Sequence, residues 1–416
     1  RSIWNATVEE ERYYRTYARK YCTIGTYAPI DQTTSQFKSK ELSPWLSECP
    51  SQILRNSAVN WYQTYQKFMS GKCGRPKRKP KTDKGSIYLT REVFRFDHCD
   101  DGNVRLFIGT KTNNIGYLSF KAHGKFEIPN SLYVRKERGH YYVSFCYEQG
   151  QPDRKLSTNE EHLAFLQGAT REYLEEHTMG VDRGVAIPVC AGEQTYDFTH
   201  SQKKNMSKAD RYIKRLQRKL ARQQKGSNRR AKTKHRIAVH HAKKANIRND
   251  FAHKTSRLLV DSSAKIIVFE ALRTARMTRR PKAKQDEQGR FISNKAKQKA
   301  GLNKSILNVG WHVIETYTYY KAYSSSKAVF KIPAPTTSQE CAKCGHTHPD
   351  NRKTQALFVC GNCGNTDNAD HNASLVIKKR AINLILDTGT VLSGDGVLRT
   401  QSDRRHDTKV LNLSDF

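Results

Sequence analysis

Two Cys-x-x-Cys pairs constrain this chain more than any other feature of its sequence. They are Cys341–Cys344 (CAKC) and Cys360–Cys363 (CGNC). Thiolates three residues apart can chelate one ion from a single turn, and a glycine directly after each pair, Gly345 and Gly364, frees the backbone to wrap toward the metal. The spacing predicts one structural Zn²⁺ held by four cysteines, with no open coordination position. The alternatives are unliganded reduced cysteines or a redox pair.

The charge of the chain predicts a polyanionic partner. Lys and Arg number 74 against 39 Asp and Glu, so the formal charge is +35. The excess runs through most of the chain with aromatic residues interspersed, which favours nucleic acid over a membrane surface. No stretch approaches the roughly 18 consecutive apolar residues of a membrane span.

Cysteine usage and the N-terminal residues predict the cellular compartment. Six of the ten cysteines are scattered singly, which suits reduced thiols better than a disulfide framework. The first residues lack the layout of a secretory signal, so a cytoplasmic location is expected. The sequence opens without Met inside a helix-like pattern, so we expect some native N-terminal residues to be missing.

The first part of the chain has the pattern of a small helical unit. Apolar residues recur at helical spacing from Ser2 to about Met69. The stretch 71–84 combines Gly, Pro and a dense basic run, which predicts a loop. Residues 1–85 are therefore assigned to a helical recognition lobe with a basic linker.

The pattern then changes to a period of two. Between Ser86 and Glu148, five short segments alternate and are rich in Tyr, Phe, Val and Ile, which predicts a small β-barrel. The first strand is predicted at 86–96, and the turn Arg138-Gly139-His140 is predicted to join the last two strands as a hairpin. A polar stretch from Gln149 to about Thr178 follows. We assign residues 86–178 to the barrel domain and place a boundary at its end.

From Met179 onward the order of elements is typical of an α/β domain. Strands are predicted at 179–190, 196–199, 264–269 and 328–332, and helices at 204–224 and 229–261, with a turn at Gly226-Ser227. Residues 179–336 are assigned to this domain, 337–366 to the cysteine ribbon, and 367–416 to the rest of the α/β domain and a tail.

Three acidic residues occupy positions that need an explanation. Asp182 lies in the apolar run MGVDRGVAIPV, Glu270 ends the apolar run AKIIVFEAL, and Asp370 lies at a predicted helix start. Singly they are explained as a turn residue, a solvent-facing strand end and a helix N-cap. Together they predict one site whose hard oxygen ligands bind Mg²⁺.

Two basic segments are predicted to contact nucleic acid. Residues 203–248 hold 18 Lys or Arg against one acidic residue, Asp210, and we expect basic residues to surround the helix. A solvated helical face is the alternative. For the run 75–81 the alternative is a nuclear localisation signal. The predicted contact residues are Lys77, Lys79, Lys204, Arg211, Lys214, Arg215, Arg218, Lys219 and Arg222.

Five stretches of the sequence resemble the TnpB family of IS200/IS605-type transposons, the relatives of type V CRISPR (Cas12) nucleases. They are Gly180–Gly184 (GVDRG), Phe269–Leu272 (FEAL), Thr337–Gly345 (TSQECAKCG), Asn351–Gly364 (NRKTQALFVCGNCG) and Asn368–Ser374 (NADHNAS). They follow in the family's order and spacing across about half of the chain. The N-terminal half resembles the family only in layout, a helical lobe followed by an oligonucleotide-binding-like (OB-like) barrel.

The resemblance implies an α+β multidomain protein with an RNase H-like (RuvC) nuclease domain and an inserted zinc ribbon. It implies that Asp182, Glu270 and Asp370 bind two catalytic Mg²⁺ and that RNA guides DNA cleavage. The implied partners are a guide RNA, target double-stranded DNA and the displaced single strand, and no protein partner is indicated. Arg352 matches the family's ribbon arginine, which implies contact with the scissile phosphate. A ribbon surface arginine is the alternative.

Two departures from the family pattern and three alternatives remain. Ser374 replaces the usual Ala, and the long polar stretch 273–303 corresponds to a segment that is mobile in the family.

A compact type V CRISPR nuclease shares the same acidic residues and ribbon. A nuclease-silent DNA-binding regulator is disfavoured because all three acidic positions are filled. A strand-transferring transposase would be recognised by joined DNA products.

Overall fold

The computed structural model describes residues 1–18, 41, 43–80, 85–98, 104–110, 113–122, 126–137, 140–147 and 156–400. The chain divides into two compact units, Arg1–Gln151 and Pro152–Phe416. Each unit has its own hydrophobic core.

The first unit begins with helices. They are α1 (Ser2–Tyr13), which continues into a π-helical turn at Tyr14–Ala18, α2 (Pro44–Ser47) and α3 (Ser51–Met69). Leu54 and Ala58 lie one turn apart on α3 and pack in one core with Ile3 of α1 and Leu46 of α2, since residues four apart share a helix face. The predicted helical lobe is therefore helical in the part that the structure describes.

The predicted basic loop is held along α1. The Trp4 indole donates a hydrogen bond to the Lys77 carbonyl at 2.9 Å. The Asn5 side chain accepts from the Lys79 backbone N–H at 2.8 Å and donates to the Lys79 carbonyl at 3.1 Å. Residues 74–80 have no regular secondary structure, so the loop prediction is confirmed there, and residues 81–84 lie outside the described residues.

The rest of the first unit is a pair of three-stranded antiparallel sheets. Their orders are β1-β5-β6 and β2-β3-β4. The strands are β1 (Gly85–Thr90), β2 (Phe94–His98), β3 (Val104–Gly109), β4 (Asn114–Phe120), β5 (Ser131–Glu137) and β6 (His140–Ser144). Leu89 and Leu132 of one sheet share a core with Leu106 of the other. Among the described strands the two sheets are not hydrogen-bonded to each other, so the small OB-like barrel stays a prediction.

One predicted strand of this region is two strands. The segment 86–96 is interrupted by a 3₁₀ turn at Arg91–Val93, which buries Val93 and passes the chain from one sheet to the other. The predicted hairpin between β5 and β6 is confirmed by the pairing of Glu137 with His140. Its turn residues, 138–139, lie outside the described residues.

The second unit is built on a parallel sheet. Strands β7 (Thr178–Val181), β10 (Ile266–Glu270) and β13 (Ala328–Ile332) pair with β10 in the centre. All five residues of β10 are buried, which explains its unbroken apolar run, because a parallel strand is covered on both faces. Phe269 enters one core and Val268 the other, as expected for alternate side chains of a strand.

The sheet is extended beside β7 by a hairpin of β8 (Val189–Ala191) and β9 (Gln194–Tyr196). The backbone pair Asp182–Cys190 links β7 to β8. The single strand predicted at 179–190 is therefore wrong. The chain turns sharply after Asp182, where a Cβ added at Gly184 would lie 2.6 Å from the Ile187 carbonyl oxygen.

Helices cover both faces of the parallel sheet. The helices of the second unit are α4 (Asn159–Leu166), α5 (Arg171–His177), α6 (His200–Ala221), α7 (Asn228–Asp261), α8 (Thr274–Met277), α9 (Ala296–Val309), α10 (Trp311–Ser324) and α11 (Ala369–Leu386). The short antiparallel pairs are β11 (Lys284–Gln285) with β12 (Phe291–Ile292), β14 (Leu357–Val359) with β15 (Thr366–Asn368), and β16 (Val391–Leu392) with β17 (Leu398–Arg399). Within the described ranges, no helix has the length and apolar character needed to cross a membrane.

The helix boundaries follow their capping residues. Thr199 accepts a hydrogen bond from the Gln202 backbone and Gln202 returns one, a capping box that starts α6 at His200. Thr199 is therefore not in a strand, and the strand predicted at 196–199 lies earlier, at β9. Ser227 caps α7 after Gly226, whose φ of 87° fits the predicted turn.

Part of the polar stretch 149–178, which we assigned to the barrel domain, packs with the second unit. Within it lie α4 and α5, and their Leu163, Leu166 and Leu174 pack in the same core as β10 and β13. These three leucines are the buried apolar residues of the two helices, and the remaining helix positions are mainly polar. The two helices belong to the second unit, which begins at Pro152.

Candidate active site

Asp182 lies at the end of β7. Its backbone N–H donates to the Cys190 carbonyl at 2.8 Å and its carbonyl accepts from the Cys190 N–H at 3.0 Å. The carboxylate accepts a hydrogen bond from the Arg183 backbone N–H. The residue is thus fixed by strand pairing, with its side chain at the carboxyl edge of the parallel sheet.

Glu270 is the last residue of the central strand β10. It is only 6% exposed, so the alternative of a solvent-facing strand end is wrong. The buried hydroxyl of Thr337 donates a hydrogen bond to its carboxylate. This contact orients the side chain from the segment that enters the cysteine ribbon.

Asp370 is the second residue of α11 and is 5% exposed. The alternative that it caps this helix is wrong. Asn368 is the cap, and its side-chain oxygen accepts from the backbone N–H groups of Asp370 at 2.9 Å and His371 at 3.2 Å. The Asp370 carboxylate is left to pair with Arg352, whose guanidinium lies 3.3 Å away.

The three acidic side chains interact electrostatically. Burial, followed by the charges of Glu270 and Asp370, raises the pKa of Asp182 to about 7. Burial also raises the pKa of Glu270 and of Asp370, against the lowering effects of Thr337 on the first and Arg352 on the second. The structure therefore gathers the three predicted residues at one edge of the sheet.

The spacing of this acidic cluster is wider than that of the cysteines. Among the described residues, the four cysteines are the group of His, Cys, Asp and Glu side chains whose ligand atoms all lie within 4.8 Å of one another. Three like charges repel one another. A divalent cation with oxygen preference would neutralise them and draw them together.

Glycines allow the close packing around this cluster. A Cβ added at Gly180 of β7 would lie 2.1 Å from the Ser374 carbonyl oxygen and 2.6 Å from the Lys378 nitrogen. Helix α11 therefore packs directly against the backbone of β7, which places Asp370 beside Asp182. The Ser374 hydroxyl accepts from the Gly192 N–H at 3.2 Å, so the departure from the family's Ala ties the β8–β9 turn to the same helix.

The four cysteines form one cluster as predicted. The sulfurs of Cys341 and Cys363 lie 3.7 Å apart, and those of Cys344 and Cys360 lie 3.6 Å apart. A tetrahedral ion with metal–sulfur bonds of about 2.3 Å separates its sulfurs by about 3.8 Å. The cluster therefore fits a tetrahedral metal ion with four thiolate ligands.

The predicted roles of the ribbon glycines are confirmed. Gly345 and Gly364 have φ values of 76° and 68°. Their N–H groups donate to the carbonyls of Cys341 and Cys360 at 2.8 and 3.1 Å. Each Cys-x-x-Cys pair thus ends in a left-handed residue that closes the turn around the sulfurs.

Two buried asparagines hold the ribbon together and attach it to α11. The Asn351 amide donates to the carbonyls of Gln339 and His346 and accepts from the Gly361 N–H at 3.0 Å. Asn372, which is fully buried, accepts from the Ala342 N–H at 3.0 Å and donates to the Glu340 carbonyl at 2.7 Å. The ribbon is therefore rigidly joined to the helix that carries Asp370.

The predicted nucleic-acid contacts of α6 are all exposed. They are Lys204, Arg211, Lys214, Arg215, Arg218, Lys219 and Arg222. Our interpretation that basic residues surround this helix needs correction, because Ala209, Ile213 and Leu216 are buried along one side of it. Helix α7 packs on α6, and the lone acidic residue Asp210 pairs with the buried Lys244 at 2.7 Å. The basic residues occupy the outer surface of this hairpin.

The two predicted contact residues of the basic loop, Lys77 and Lys79, differ in whether their ammonium groups already have a partner. Lys77 is exposed, and its backbone carbonyl is held by Trp4. The Lys79 ammonium lies 3.4 Å from the centroid of the Trp4 ring, and burial lowers its pKa. Lys79 is thus occupied by a cation–π contact within its own unit.

Sequence reasoning missed the residues that support the acidic cluster. They are Arg183, Glu315, Thr337 and Arg380. Arg380 donates to Glu340 at 2.7 Å and to the Pro335 carbonyl at 2.7 Å, so it fixes the segment that carries Thr337. An arginine inside the apolar run MGVDRGVAIPV is a signal that could have found Arg183, and Thr337 opens the stretch TSQECAKCG. Glu315 and Arg380 have no local signal.

Two protein families match parts of the chain that together include all three acidic residues. Residues 144–280 match the family described as "Probable transposase" (OrfB_IS605), and residues 311–377 match "Cas12f1-like, TNB domain". The chain is 27% identical over 376 residues to the putative RNA-guided DNA endonuclease InsQ of Escherichia coli (strain K12), covering 90% of this chain and 84% of that protein.

A Cas12f1 protein matches over less of the sequence, and a solved Cas12f1 structure shares the fold. The CRISPR-associated endodeoxyribonuclease Cas12f1 of Sulfoacidibacillus thermotolerans is 27% identical over 263 residues, which are 60% of this chain and about half, 53%, of that protein. A cryo-EM structure of a Cas12f1–sgRNA–target DNA complex aligns with 91% of this chain and 80% of its own, at 13% identity and a TM-score of 0.53. The family matches and the relatives together support a protein of the TnpB family that is related to Cas12.

Proposed function

We propose that this protein is an RNA-guided DNA endonuclease whose active site is the cluster of Asp182, Glu270 and Asp370. The observation that carries the proposal is the gathering of these three buried or half-buried carboxylates at one sheet edge, where burial and then the charges of Glu270 and Asp370 raise the pKa of Asp182. InsQ, which the chain matches over 90% of its length, is named a putative RNA-guided DNA endonuclease.

The topology supports an RNase H-like, RuvC-type nuclease domain. A β8–β9 hairpin adjoins β7, and β7 is followed in the sheet by β10 and β13. In this arrangement the first strand and the central strand each end in a proposed ligand, Asp182 and Glu270. The helix α11, which follows the ribbon, supplies the third.

The donor sets suit two different metals. Carboxylate oxygens are the ligands that Mg²⁺ prefers, and we assign two Mg²⁺ to the acidic cluster. Four thiolates at tetrahedral spacing fit one structural Zn²⁺. When bound, Mg²⁺ supplies activation of the attacking water and stabilisation of the leaving oxygen.

The surrounding residues orient the acidic cluster and receive the DNA strand. Thr337 holds the Glu270 carboxylate through its hydroxyl. Arg352 lies beside Asp370, where its guanidinium can donate to a phosphate oxygen of a strand that enters the cluster. Because Asn372 fastens the ribbon to α11, Arg352 is presented from a rigid support.

The partners we propose are a guide RNA, target double-stranded DNA and its displaced strand. The exposed basic surface of α6 is suited to a phosphate backbone. Lys203 pairs with Asp197, whereas no acidic side chain among the described residues forms an ion pair with Arg211, Lys214, Arg215, Arg218, Lys219 or Arg222. Asp210, the acidic residue of this helix, is directed to Lys244 and Lys304, at 2.7 and 3.0 Å.

A compact type V CRISPR nuclease is the nearest alternative. Cas12f1 matches 60% of this chain, whereas InsQ matches 90%, so the TnpB-type function is favoured. The two differ in the origin of the guide. An RNA that includes a transposon end supports the first, and an RNA from a CRISPR array supports the second.

The experiment has two parts. The protein is purified together with the RNA expressed from its flanking DNA, and that RNA is sequenced. The complex is then incubated with Mg²⁺ and a plasmid carrying the matching target. We expect one enriched RNA species and cleavage that requires the match. Asp250→Asn, which changes an exposed acid of α7 paired with Lys254 at 3.0 Å, is the control that should cleave normally. If no discrete RNA is enriched, RNA guidance is refuted.

A further inference from the structure

Arg183 is a buried cation that directly follows Asp182. Its side chain is 2% exposed. The guanidinium donates to the backbone carbonyl of Glu270 and to the carboxylate of Glu315 on α10, the latter at 2.7 Å. It also lies 5.0 Å from the centroid of the Phe269 ring. One side chain therefore joins the residue after the first acidic ligand to the backbone of the second.

Stability alone does not account for this arrangement. A buried ion pair gains little net stability, because desolvation of both charges offsets their attraction, and apolar replacements of similar volume are often as stable. The fold would pack an apolar side chain beside Phe269 at least as readily. A role in positioning explains why a charge is placed there.

The pairing of the strands shows what Arg183 adds. β7 and β10 pair in parallel from Thr178–Ile266 to Val181–Phe269. The register ends one residue before Asp182 and Glu270, so no strand pairing joins the two acidic residues. The Arg183 guanidinium bridges the strands beyond this point, through its bond to the Glu270 carbonyl.

Neighbouring elements fix the direction of the Arg183 side chain. Glu315 also accepts from Lys331 of β13 at 3.1 Å. Trp311, one turn earlier on α10, donates to the Gly184 carbonyl at 2.9 Å. Helix α10 thus holds both residues that follow Asp182, one by its side chain and the other by its backbone.

We propose that Arg183 is a positioning residue that fixes the separation of the Asp182 and Glu270 carboxylates and so sets the affinity of the acidic cluster for divalent cations. The inference rests on the proposed function of that cluster. Arg183 acts through the Glu270 backbone and does not touch the metal or the substrate.

The test compares three variants by calorimetric titration of the RNA-bound full-length protein with Mn²⁺. Arg183→Met should weaken Mn²⁺ binding by about 10- to 100-fold, as is usual when a partner that orients a ligand is removed. Arg183→Lys should recover part of the affinity, because an ammonium can donate to the Glu270 carbonyl but cannot span to Glu315 as well. Lys331→Met removes the other cation that binds Glu315 but keeps the bond from Arg183 to the Glu270 carbonyl, so it should weaken Mn²⁺ binding much less than Arg183→Met does.

Folding is monitored separately by zinc content, circular dichroism and RNA retention. Should Arg183→Met not fold, the double variant Arg183→Met/Glu315→Leu removes both members of the pair, so that neither charge is left buried alone. It should show the same reduction of Mn²⁺ affinity. The same variants are then assayed for the Mg²⁺ concentration that gives half-maximal cleavage, which should rise in parallel.

A folded Arg183→Met protein with the Mn²⁺ affinity of wild type would overturn the inference. Equal reductions in Arg183→Met and Lys331→Met would also overturn it, because they would show a general effect of removing charge. Glu270→Ala separates this failure from failure of the proposed function. If Glu270→Ala still cleaves DNA, the proposed active site is wrong, whereas an inactive Glu270→Ala beside a normal Arg183→Met refutes the positioning role alone.

Discussion

The guanidinium of Arg352 lies 3.3 Å from a carboxylate oxygen of Asp370. Arg352 comes from the ribbon and Asp370 from the helix that follows it, so the pair joins the cysteine site to the acidic cluster. The contact makes Arg352 more than a surface arginine. Through this contact, a residue of the ribbon reaches the carboxylates that we propose as the active site.

Arg352→Ala should reduce the rate of DNA cleavage by about 100-fold, the usual effect of removing one donor that stabilises charge in a transition state. Zinc content and RNA binding should not change. Single-turnover cleavage by the purified complex measures the effect. Lys353→Ala changes the exposed neighbouring residue and should cleave at the wild-type rate. Equal rates for the two variants would show that Arg352 has no part in cleavage.

The ribbon should bind one zinc ion per chain. Cys341→Ser should lose the ion and much of the soluble yield, because the ribbon folds around its metal. Cys73→Ser, which changes an exposed cysteine outside the cluster, is the control and should keep both. Metal analysis by mass spectrometry decides the matter, and wild-type protein without zinc would contradict the proposed role of the four cysteines.

The outer surface of α6 should contribute to the salt dependence of nucleic-acid binding. Changing Arg211 and Arg218 to Gln should lower the slope of log Kd against log salt for duplex DNA by about 0.9 for each phosphate that the protein no longer neutralises. The control changes Lys254 and Arg257 to Gln, because these residues pair with Asp250 and Asp261 on α7. A slope that is unchanged in the first variant would mean that the surface is merely solvated.

Asp182 should make the stability of the Mg²⁺-free protein depend on pH. Burial and the charges of Glu270 and Asp370 raise its pKa to about 7 in the folded protein, whereas the pKa of an Asp in an unfolded chain is about 3.9. Between these values the folded state binds more protons, so its free energy of unfolding falls as the pH rises from about 4 to about 7.

Asp182→Asn removes this titration and isolates its effect. Without added Mg²⁺, the Tm of the variant should rise relative to that of wild type as the pH increases from about 4 to about 7. Near pH 7, added Mg²⁺ should reverse this difference, so that wild type has the higher Tm. Thermal melts of both proteins at several pH values measure the trend. A Tm difference that does not vary with pH would show that Asp182 lacks the environment described.

Local patterns predicted the features that depend on nearby residues. The cysteine cluster and the left-handed Gly345 and Gly364 follow from spacing alone. Burial of Glu270 follows from its place at the end of an apolar parallel strand. The gathering of three carboxylates was predictable because their strands and helix belong to a recognisable α/β order.

The predictions needed correction where distant contacts, or a choice between two possible capping residues, determine the local structure. Asn368 and Asp370 are both good capping residues, and only the structure shows that Asn368 accepts the backbone hydrogen bonds. The break after Asp182 depends on close contact between the Gly184 backbone and Ile187. Arg183 and Glu315 are 132 residues apart, so no local pattern connects them.

The most direct test of the active site is guided DNA cleavage by Asp370→Asn. Because Asn368 caps α11, this substitution should leave the helix start and the stability nearly unchanged while removing a metal-binding charge. We expect a folded, zinc- and RNA-bound protein that binds its target and does not cut it. Cleavage by this variant at a rate near that of wild type would remove Asp370 from the active site and contradict the proposed three-carboxylate mechanism.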